Sequence, residues 1–218
     1  MRLLTRKLPI AAVLLALVAV PQSVPAEERH LDVGLRLAIA AADGTPANDI
    51  PGAGVLAHYA LDSDWTLGAA VDRSEYDFEE PAKHLGIVQD PTLDPIDVLA
   101  TATTLSFWIE RALAPAGESG AFFVGAGLGA AFIDVPDVRG ARANGGTFDV
   151  QTDANTELVV FGLAGLRRQF GRRWYGELAV RAEQHFADWQ VTDRVSGARG
   201  TIDDYLTWGA HLAVGWRW

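Results

Sequence analysis

The sequence predicts an all-β fold, a closed eight-stranded antiparallel up-and-down transmembrane β-barrel. Three observations support this prediction: segments in which apolar residues alternate with small or polar ones, connections that are alternately long and short, and an N-terminal segment typical of export. Alternation with a period of two is the pattern of a strand whose two faces meet different surroundings.

The first 26 residues predict a cleaved secretory signal peptide. Three basic residues precede an uncharged apolar run at 8–20, and Ala26 ends a small-residue cleavage pattern. The run is shorter than the about 20 residues that a membrane-spanning helix needs. We therefore expect residues 1–26 to be removed and residues 27–218 to form one β-barrel domain in the cell outer membrane.

The composition restricts the partners. The chain has 18 basic and 28 acidic residues, a net charge of −10; removing the signal peptide leaves 15 basic and 28 acidic residues, a net charge of −13. Strong acidity argues against nucleic acid and against electrostatic adsorption to anionic phosphate surfaces. Cysteine is absent, so we expect neither disulfides nor thiol chemistry.

The alternating segments predict eight strands. They lie at 30–41, 52–61, 65–75, 97–113, 120–134, 155–170, 174–189 and 203–218. In the fourth, for example, Leu105 and Phe107 share one face, opposite Ala102 and Ser106. The segment at 155–170 is apolar on both faces, so the sequence leaves its orientation open.

The connections between these strands alternate in length. Four long ones lie at 42–51, 76–96, 135–154 and 190–202, and three short ones at 62–64, 114–119 and 171–173. In an up-and-down meander, alternate connections lie at opposite ends of the sheet. All long loops are therefore expected at one end, an asymmetry typical of outer-membrane barrels.

Aromatic residues cluster near both ends of the predicted strands. At the short-turn end we predict five anchors in the membrane interface: Trp65, Trp174, Tyr175, Trp216 and Trp218. A second set near the long loops comprises Tyr76, Phe78, Phe132, Trp189, Tyr205 and Trp208. Two such belts are expected where amphipathic rings meet the two faces of a bilayer.

The opposite faces of the strands predict a polar lumen. Its members are Asp32, Arg36, His58, Asp72, Glu110, Glu177, Arg181, Glu183, His185, His211 and Arg217. Eight strands leave an interior that side chains fill, and an unpaired buried charge costs several kcal/mol. We therefore interpret this set as a structural network of ion pairs, with a narrow or gated conduit as the alternative.

Three segments carry a resemblance to a known group of proteins. They are "TLSFWIERAL" at 104–113, "FFVGAGLGAAF" at 122–132 and the C-terminal "AVGWRW". Together with the signal peptide they resemble the small eight-stranded outer-membrane barrels of Gram-negative bacteria, the OmpA-like and OmpW-like superfamily. In that family a C-terminal aromatic residue, usually Phe and here Trp218, helps the barrel-assembly machinery to recognise its client.

The resemblance implies a cell-envelope protein with a structural or passive, porin-like role. OmpW-like members are associated with the passage of small hydrophobic compounds. The partners implied are outer-membrane lipid, lipopolysaccharide and, during insertion, the barrel-assembly machinery; we expect a monomer and no binding of nucleic acid.

Two alternatives remain open. One is an outer-membrane enzyme that modifies lipid A or phospholipids, for which Glu183, His185 and Asp188 form the best cluster. The His-x-Ser arrangement of a lipid A deacylase is missing, so we predict no enzyme activity and no catalytic residue. The five histidines lack ligand spacing, so we expect no metal and no cofactor. The other alternative is a soluble, lipocalin-like binder of an apolar ligand, which would need the apolar faces to point inward.

Overall fold

The computed structural model describes residues 30–43, 47–48, 50–79, 85–90, 92, 97–115, 120–154 and 156–218. The predicted signal peptide, residues 1–26, lies outside the described residues. Within the described ranges, no helix is long and apolar enough to cross a membrane.

Thirteen strands are formed by these residues. They are β1 (Leu31–Asp43), β2 (Ala47–Asn48), β3 (Ile50–Ala60), β4 (Trp65–Glu79), β5 (Asp97–Pro115), β6 (Gly120–Asp134), β7 (Val138–Ala141), β8 (Thr147–Asp153), β9 (Glu157–Phe170), β10 (Trp174–Phe186), β11 (Trp189–Asp193), β12 (Arg199–Ile202) and β13 (Tyr205–Arg217). The eight long ones begin within two residues of the predicted strands.

These eight long strands close into an antiparallel barrel. Their order is β4-β3-β1-β13-β10-β9-β6-β5, and β5 pairs back with β4. Every strand therefore pairs with the barrel strands before and after it along the chain, and the last pairs with the first. The predicted closed eight-stranded up-and-down barrel is confirmed.

Closure occurs between β1 and β13. Their register runs from Asp32 opposite Arg217 to Asp43 opposite Leu206. The backbone N–H of Trp218 also donates to the carbonyl of Leu31 over 2.9 Å. The C-terminal strand is thus paired along its whole length, and its residues alternate because they face the lumen and the outside in turn.

The two faces of the barrel wall differ as the sequence predicts. On β1, Leu35 and Leu37 are 70% and 66% exposed, whereas Arg36 between them is buried. The orientation that the sequence left open, that of β9, is also defined: Leu158 is 53% exposed and Val159 is fully buried. Odd-numbered residues of β9 therefore face the lumen, so this strand brings apolar residues inside as well.

A second sheet lies at the long-loop end. Two connections predicted as long loops contribute two strands each, and the sheet order is β12-β11-β8-β7. The pairing of β8 with β11 joins the two connections. Gly145 and Gly197 occupy the hairpin turns with φ of 87° and 74°, the left-handed region that favours glycine.

Candidate functional site in the barrel lumen

The polar side chains predicted for the lumen all occupy inward positions of the barrel strands. Most of them are buried, and Asp72, Glu183 and Arg217 are partly exposed. They form layers along the barrel axis, described here from the short-turn end to the long-loop end.

The first layer lies where the barrel closes. Arg217 on β13 makes a two-pronged ion pair with Asp32 on β1, with Nε–Oδ1 and Nη2–Oδ2 distances of 2.8 and 2.9 Å. Its Nη1 donates to Oε1 of Gln169 on β9 over 3.0 Å. One guanidinium thus connects three strands across the short-turn end of the lumen.

The second layer is centred on Arg167 of β9, which was not predicted as a lumen residue. Its Nη1 donates to Glu110 Oε1 over 2.5 Å, and its Nε and Nη2 donate to Glu177 Oε2 over 2.8 and 2.6 Å. His211 Nε2 lies 2.9 Å from the other oxygen of Glu177, and His58 Nε2 lies 2.9 Å from Arg167 Nη2. A single arginine therefore bridges two buried carboxylates across the lumen.

The third layer, near the middle of the barrel, contains two further arginines. Arg36 on β1 makes a two-pronged ion pair with Asp72 on β4. Arg181 on β10 forms an ion pair with Glu183, and its guanidinium lies 3.5 Å from the ring centroid of Phe161. Both cations are thus neutralised by carboxylates inside the wall, and a cation–π contact adds to the second.

The fourth layer surrounds His185 at the long-loop end. Its Nδ1 lies 2.8 Å from Glu157 Oε2, and its Nε2 lies 3.1 Å from Glu183 Oε2. Tyr205 donates from its hydroxyl to Glu157 over 3.0 Å, and its ring stacks on the imidazole with a centroid distance of 4.4 Å. Glu157 and Tyr205 were not predicted as lumen residues, so the structure adds them to the network.

The fourth layer offers little for catalysis. Thr207 Oγ1 lies 3.4 Å from His185 Nε2, farther than the Glu183 carboxylate that the same nitrogen faces. The imidazole is therefore held between two carboxylates instead of being directed at a hydroxyl nucleophile. Asp188, the third member of the cluster considered from the sequence, lies outside this layer and is exposed. No group of metal-binding side chains occurs in the part of the chain that the structure describes.

Large aromatic side chains fill the lumen beside glycines on neighbouring strands. Trp108 on β5 pairs in register with Gly68 on β4, where any Cβ would overlap the indole ring. The same relation holds between Tyr175 and Gly215. The indole N–H of Trp108 donates to Glu110 over 3.0 Å, which ties the ring to the second layer.

Two of the five predicted interfacial anchors have other surroundings. Tyr175 is fully buried in the lumen, because it follows Trp174 directly and adjacent strand residues face opposite sides. Trp65 is only 5% exposed, and the Arg111 guanidinium lies 5.5 Å from its ring centroid. The prediction of an interfacial anchor was therefore wrong for Tyr175, whereas Trp65 has the outward parity of Leu67 and Val71 and its role as an anchor stays a prediction.

The remaining three anchors face outward at the short-turn end. Trp174 is 51% and Trp218 is 79% exposed. Trp216 is partly exposed and packs edge-on against Trp174, with the ring centroids 4.8 Å apart. At the other end, Trp208 is exposed, whereas Tyr205 and Trp189, the first residue of β11, are buried. The side chains of Tyr76 and Phe78 lie outside the described residues.

The mouth at the long-loop end is apolar, in contrast to the layers beneath it. Inward residues of the barrel meet buried residues of the second sheet there in one cluster: Ile50, Val98, Ala100, Ala131, Ile133, Val138, Phe148, Val150, Val159, Trp189, Val191 and Ile202. Apolar side chains thus cover the long-loop end of the lumen, whereas farther inside they lie among the charged layers.

An ion pair and a set of backbone hydrogen bonds hold the second sheet together around Asp193. Its carboxylate contacts Arg142 and the Ser196 hydroxyl, and accepts from the backbone N–H of Asp149 over 3.0 Å. Burial alone would raise the pKa of Asp193, but the hydrogen bonds from Ser196 and from backbone N–H groups outweigh it and lower the pKa to about 2.

Comparison with known proteins identifies the fold but finds no protein of closely similar sequence. No protein-family model matches the sequence, and no curated protein is significantly similar to it. The outer membrane protein OprG from Pseudomonas aeruginosa superposes with a TM-score of 0.59 at 10% sequence identity, over 87% of this chain and 96% of OprG. The outer membrane protein AlkL, solved by solid-state NMR in lipid bilayers, gives a TM-score of 0.50 at 14% identity, over 92% of this chain and 94% of AlkL. The chain therefore has the fold of the small eight-stranded outer-membrane barrels.

Proposed function

We propose that this chain is a monomeric outer-membrane barrel protein with a structural role, whose apolar mouth admits small hydrophobic compounds and whose lumen does not form an open ion channel. The observation that carries the proposal is the contrast between an exposed apolar outer wall and a lumen crossed by ion pairs.

The outer wall supports a location in a membrane. Its exposed apolar residues include Leu35, Leu37, Ile39, Phe107, Leu128, Leu178, Val180, Leu212 and Val214, which come from five strands. Soluble monomers rarely expose apolar patches larger than a few hundred Å². In lipid such a wall is favourable, and a closed barrel leaves no backbone edge unpaired. The soluble lipocalin-like alternative requires the opposite orientation, and the signal peptide predicted at 1–26 supports export.

The layered ion pairs support a closed axial path. Arg217, Arg167 and Arg36 each join side chains from two or three different strands, at successive heights along the lumen. An ion passing through would have to separate these pairs in a narrow interior, at several kcal/mol for each uncompensated charge.

The apolar mouth supports the entry of small hydrophobic compounds. Phe148, Val150 and Ile202 of the second sheet belong to the same buried cluster as the inward residues Ile133 and Val159 of the barrel. Binding sites for small apolar molecules are predominantly lined by such side chains. The OmpW-like resemblance of the sequence points in the same direction.

Conductance in planar bilayers tests the closed lumen. We expect the purified wild-type barrel to show no stable, large ion conductance. Arg181→Ala, which removes one lumen cation, should raise leak, whereas Arg199→Ala on the exposed edge of the second sheet should not. A wide, permanently open channel in the wild type would refute the closed lumen and favour the conduit.

Two further measurements separate the remaining alternatives. The barrel should be recovered in the detergent-extracted outer membrane, and recovery as a soluble periplasmic protein would exclude the proposal. Incubation with phospholipid and lipid A should give no hydrolysis; hydrolysis that disappears in His185→Ala would establish the enzyme instead.

A further inference from the structure

The turn between β9 and β10 carries the most basic segment of the chain, "RRQFGRRW" at 167–174. Arg167 points into the lumen, whereas Arg168, Arg172 and Arg173 are exposed. The first acidic residue after this segment is Glu177, which binds Arg167 inside the barrel. In a chain with a net charge of −10, this turn is a local reversal of sign.

The backbone holds these arginines in defined positions. Phe170 and Trp174 pair across the turn, and Gly171 has a φ of 67°. The Gln169 side-chain amide donates to the carbonyl of Arg172 over 3.2 Å, and the carbonyl of Arg173 accepts from the Arg217 N–H over 2.7 Å. The turn is thus tied both within itself and to β13.

Exposed aromatic rings surround the arginines. Phe170 and Trp174 are each more than half exposed, and the Arg173 guanidinium lies 5.5 Å from the ring centroid of Trp216. Aromatic rings beside cationic side chains are the arrangement found at the level of lipid headgroups. If the barrel spans a membrane as proposed above, this turn lies at the interface of the leaflet on the short-turn side.

The three exposed arginines have no ion pair with any described residue, so their guanidinium groups keep donors for an outside anion. Guanidinium binds phosphate through two parallel hydrogen bonds, a geometry that lysine does not provide. The acidic residues of the second sheet do not oppose such binding. A strand of 13 residues separates the two ends by roughly 40 Å, several times the Debye length of about 8 Å at physiological ionic strength.

We propose that Arg168, Arg172 and Arg173, together with Phe170 and Trp174, form a binding site for the phosphate headgroup of anionic phospholipids. The site lies in the leaflet at the short-turn end. The inference rests on the proposed membrane location, and it differs from the expectation, drawn from net charge, that the protein avoids anionic phosphate surfaces.

Lipid selectivity measured by electron spin resonance tests the site. The refolded barrel is inserted into phosphatidylcholine vesicles that contain spin-labelled phosphatidylglycerol or spin-labelled phosphatidylcholine. We expect the wild type to immobilise the anionic lipid preferentially at low salt, by a factor on the order of five for each arginine in full contact. The preference should weaken in high salt because the charges are exposed.

Three variants make the test specific. The triple variant R168Q/R172Q/R173Q should lose the preference. R168K/R172K/R173K keeps the charges but not the two-pronged phosphate contacts, so it should show a weaker preference than the wild type. The control R139Q/R199Q removes exposed arginines from the second sheet and should leave the preference unchanged.

The outcomes separate this inference from the proposed function. Insertion into vesicles without a preference for phosphatidylglycerol, or with a preference that R168Q/R172Q/R173Q retains, would overturn the lipid site alone. Failure to insert into either vesicle would overturn the membrane location as well. Binding of isolated peptidoglycan that depends on the three arginines, without lipid preference, would assign the patch to a different polyanion and overturn the lipid site.

Discussion

Arg142 and Asp193 form an ion pair between the two long connections that build the second sheet, Arg142 just after β7 and Asp193 at the end of β11. The same carboxylate accepts hydrogen bonds from Asp149 of β8 and from Val195 and Ser196 of the following turn. One buried side chain therefore joins segments that the barrel strands alone do not bring together.

This junction predicts a pH dependence of the second sheet. The pKa of Asp193 is lowered from 3.8 to about 2, so its stabilising contribution is complete above about pH 4 and is lost as the pH falls through 2. We expect the near-ultraviolet circular dichroism of the folded barrel to change over this range. Asp193→Asn should loosen the sheet already at neutral pH and show a smaller change on acidification, while Asp153→Asn, an exposed carboxylate of β8, serves as the control. An unaltered acid transition in Asp193→Asn would contradict the prediction.

Removal of the Arg167 guanidinium should destabilise the barrel strongly. Arg167→Gln leaves Glu110 and Glu177 buried without their common cation, and breaking a buried ion pair in this way typically costs about 3–5 kcal/mol. Urea unfolding in phosphatidylcholine vesicles measures the change. Arg168→Gln is a matched control, since it removes the same group from the adjacent, outward position. Equal stability of the two variants would show that the ion-pair layer does not stabilise the fold.

The destabilisation caused by a charged residue on the outer wall should depend on the depth of that residue in the bilayer. Leu212 lies in the middle of β13 and pairs with Leu37 and Leu178, which are also exposed. Leu212→Arg should therefore lower the free energy of unfolding by about 2–4 kcal/mol in vesicles, whereas Leu31→Arg at the short-turn end should cost about 0–1 kcal/mol. Equal costs at the two positions would mean that the apolar wall does not face lipid.

The space beside the aromatic rings of the lumen should be too small for a side chain larger than glycine. A Cβ at Gly68 overlaps the indole of Trp108, so Gly68→Ala should destabilise by about 1–3 kcal/mol through overpacking. Gly162→Ala is the control, because a Cβ there meets no atom closer than 3.9 Å. A double-mutant cycle with Trp108→Phe measures the coupling; additive effects would show that the two positions do not share the space.

The barrel could be predicted from the sequence because each of its strands has one apolar and one small or polar face. The second sheet could not, because β8 and β11 are short, contain several polar residues and are stabilised by pairing between two connections. Local pattern does not reveal such a pairing, since it forms between segments that are far apart along the chain.

The lumen was predictable only in part, and β9 shows why. Its central residues are apolar on both faces, so Arg167 and Glu157 were not assigned to the interior. Both are odd-numbered, and this shared parity at the two ends of the strand is a signal that would have placed them inside. The same alternation places Tyr175 on the opposite face of the strand from Trp174, so the two cannot both lie on the outer wall.

Pairing of β1 with β13 joins residues that are more than 160 positions apart along the chain. Such long-range contacts make folding slow, because the entropy of closing a large loop is lost before the contact forms. Until β13 arrives, β1 and β10 each present an unpaired edge to any other strand. The interval between synthesis and closure is therefore when this protein is most exposed to aggregation, and the last strand of the chain removes both edges in a single step.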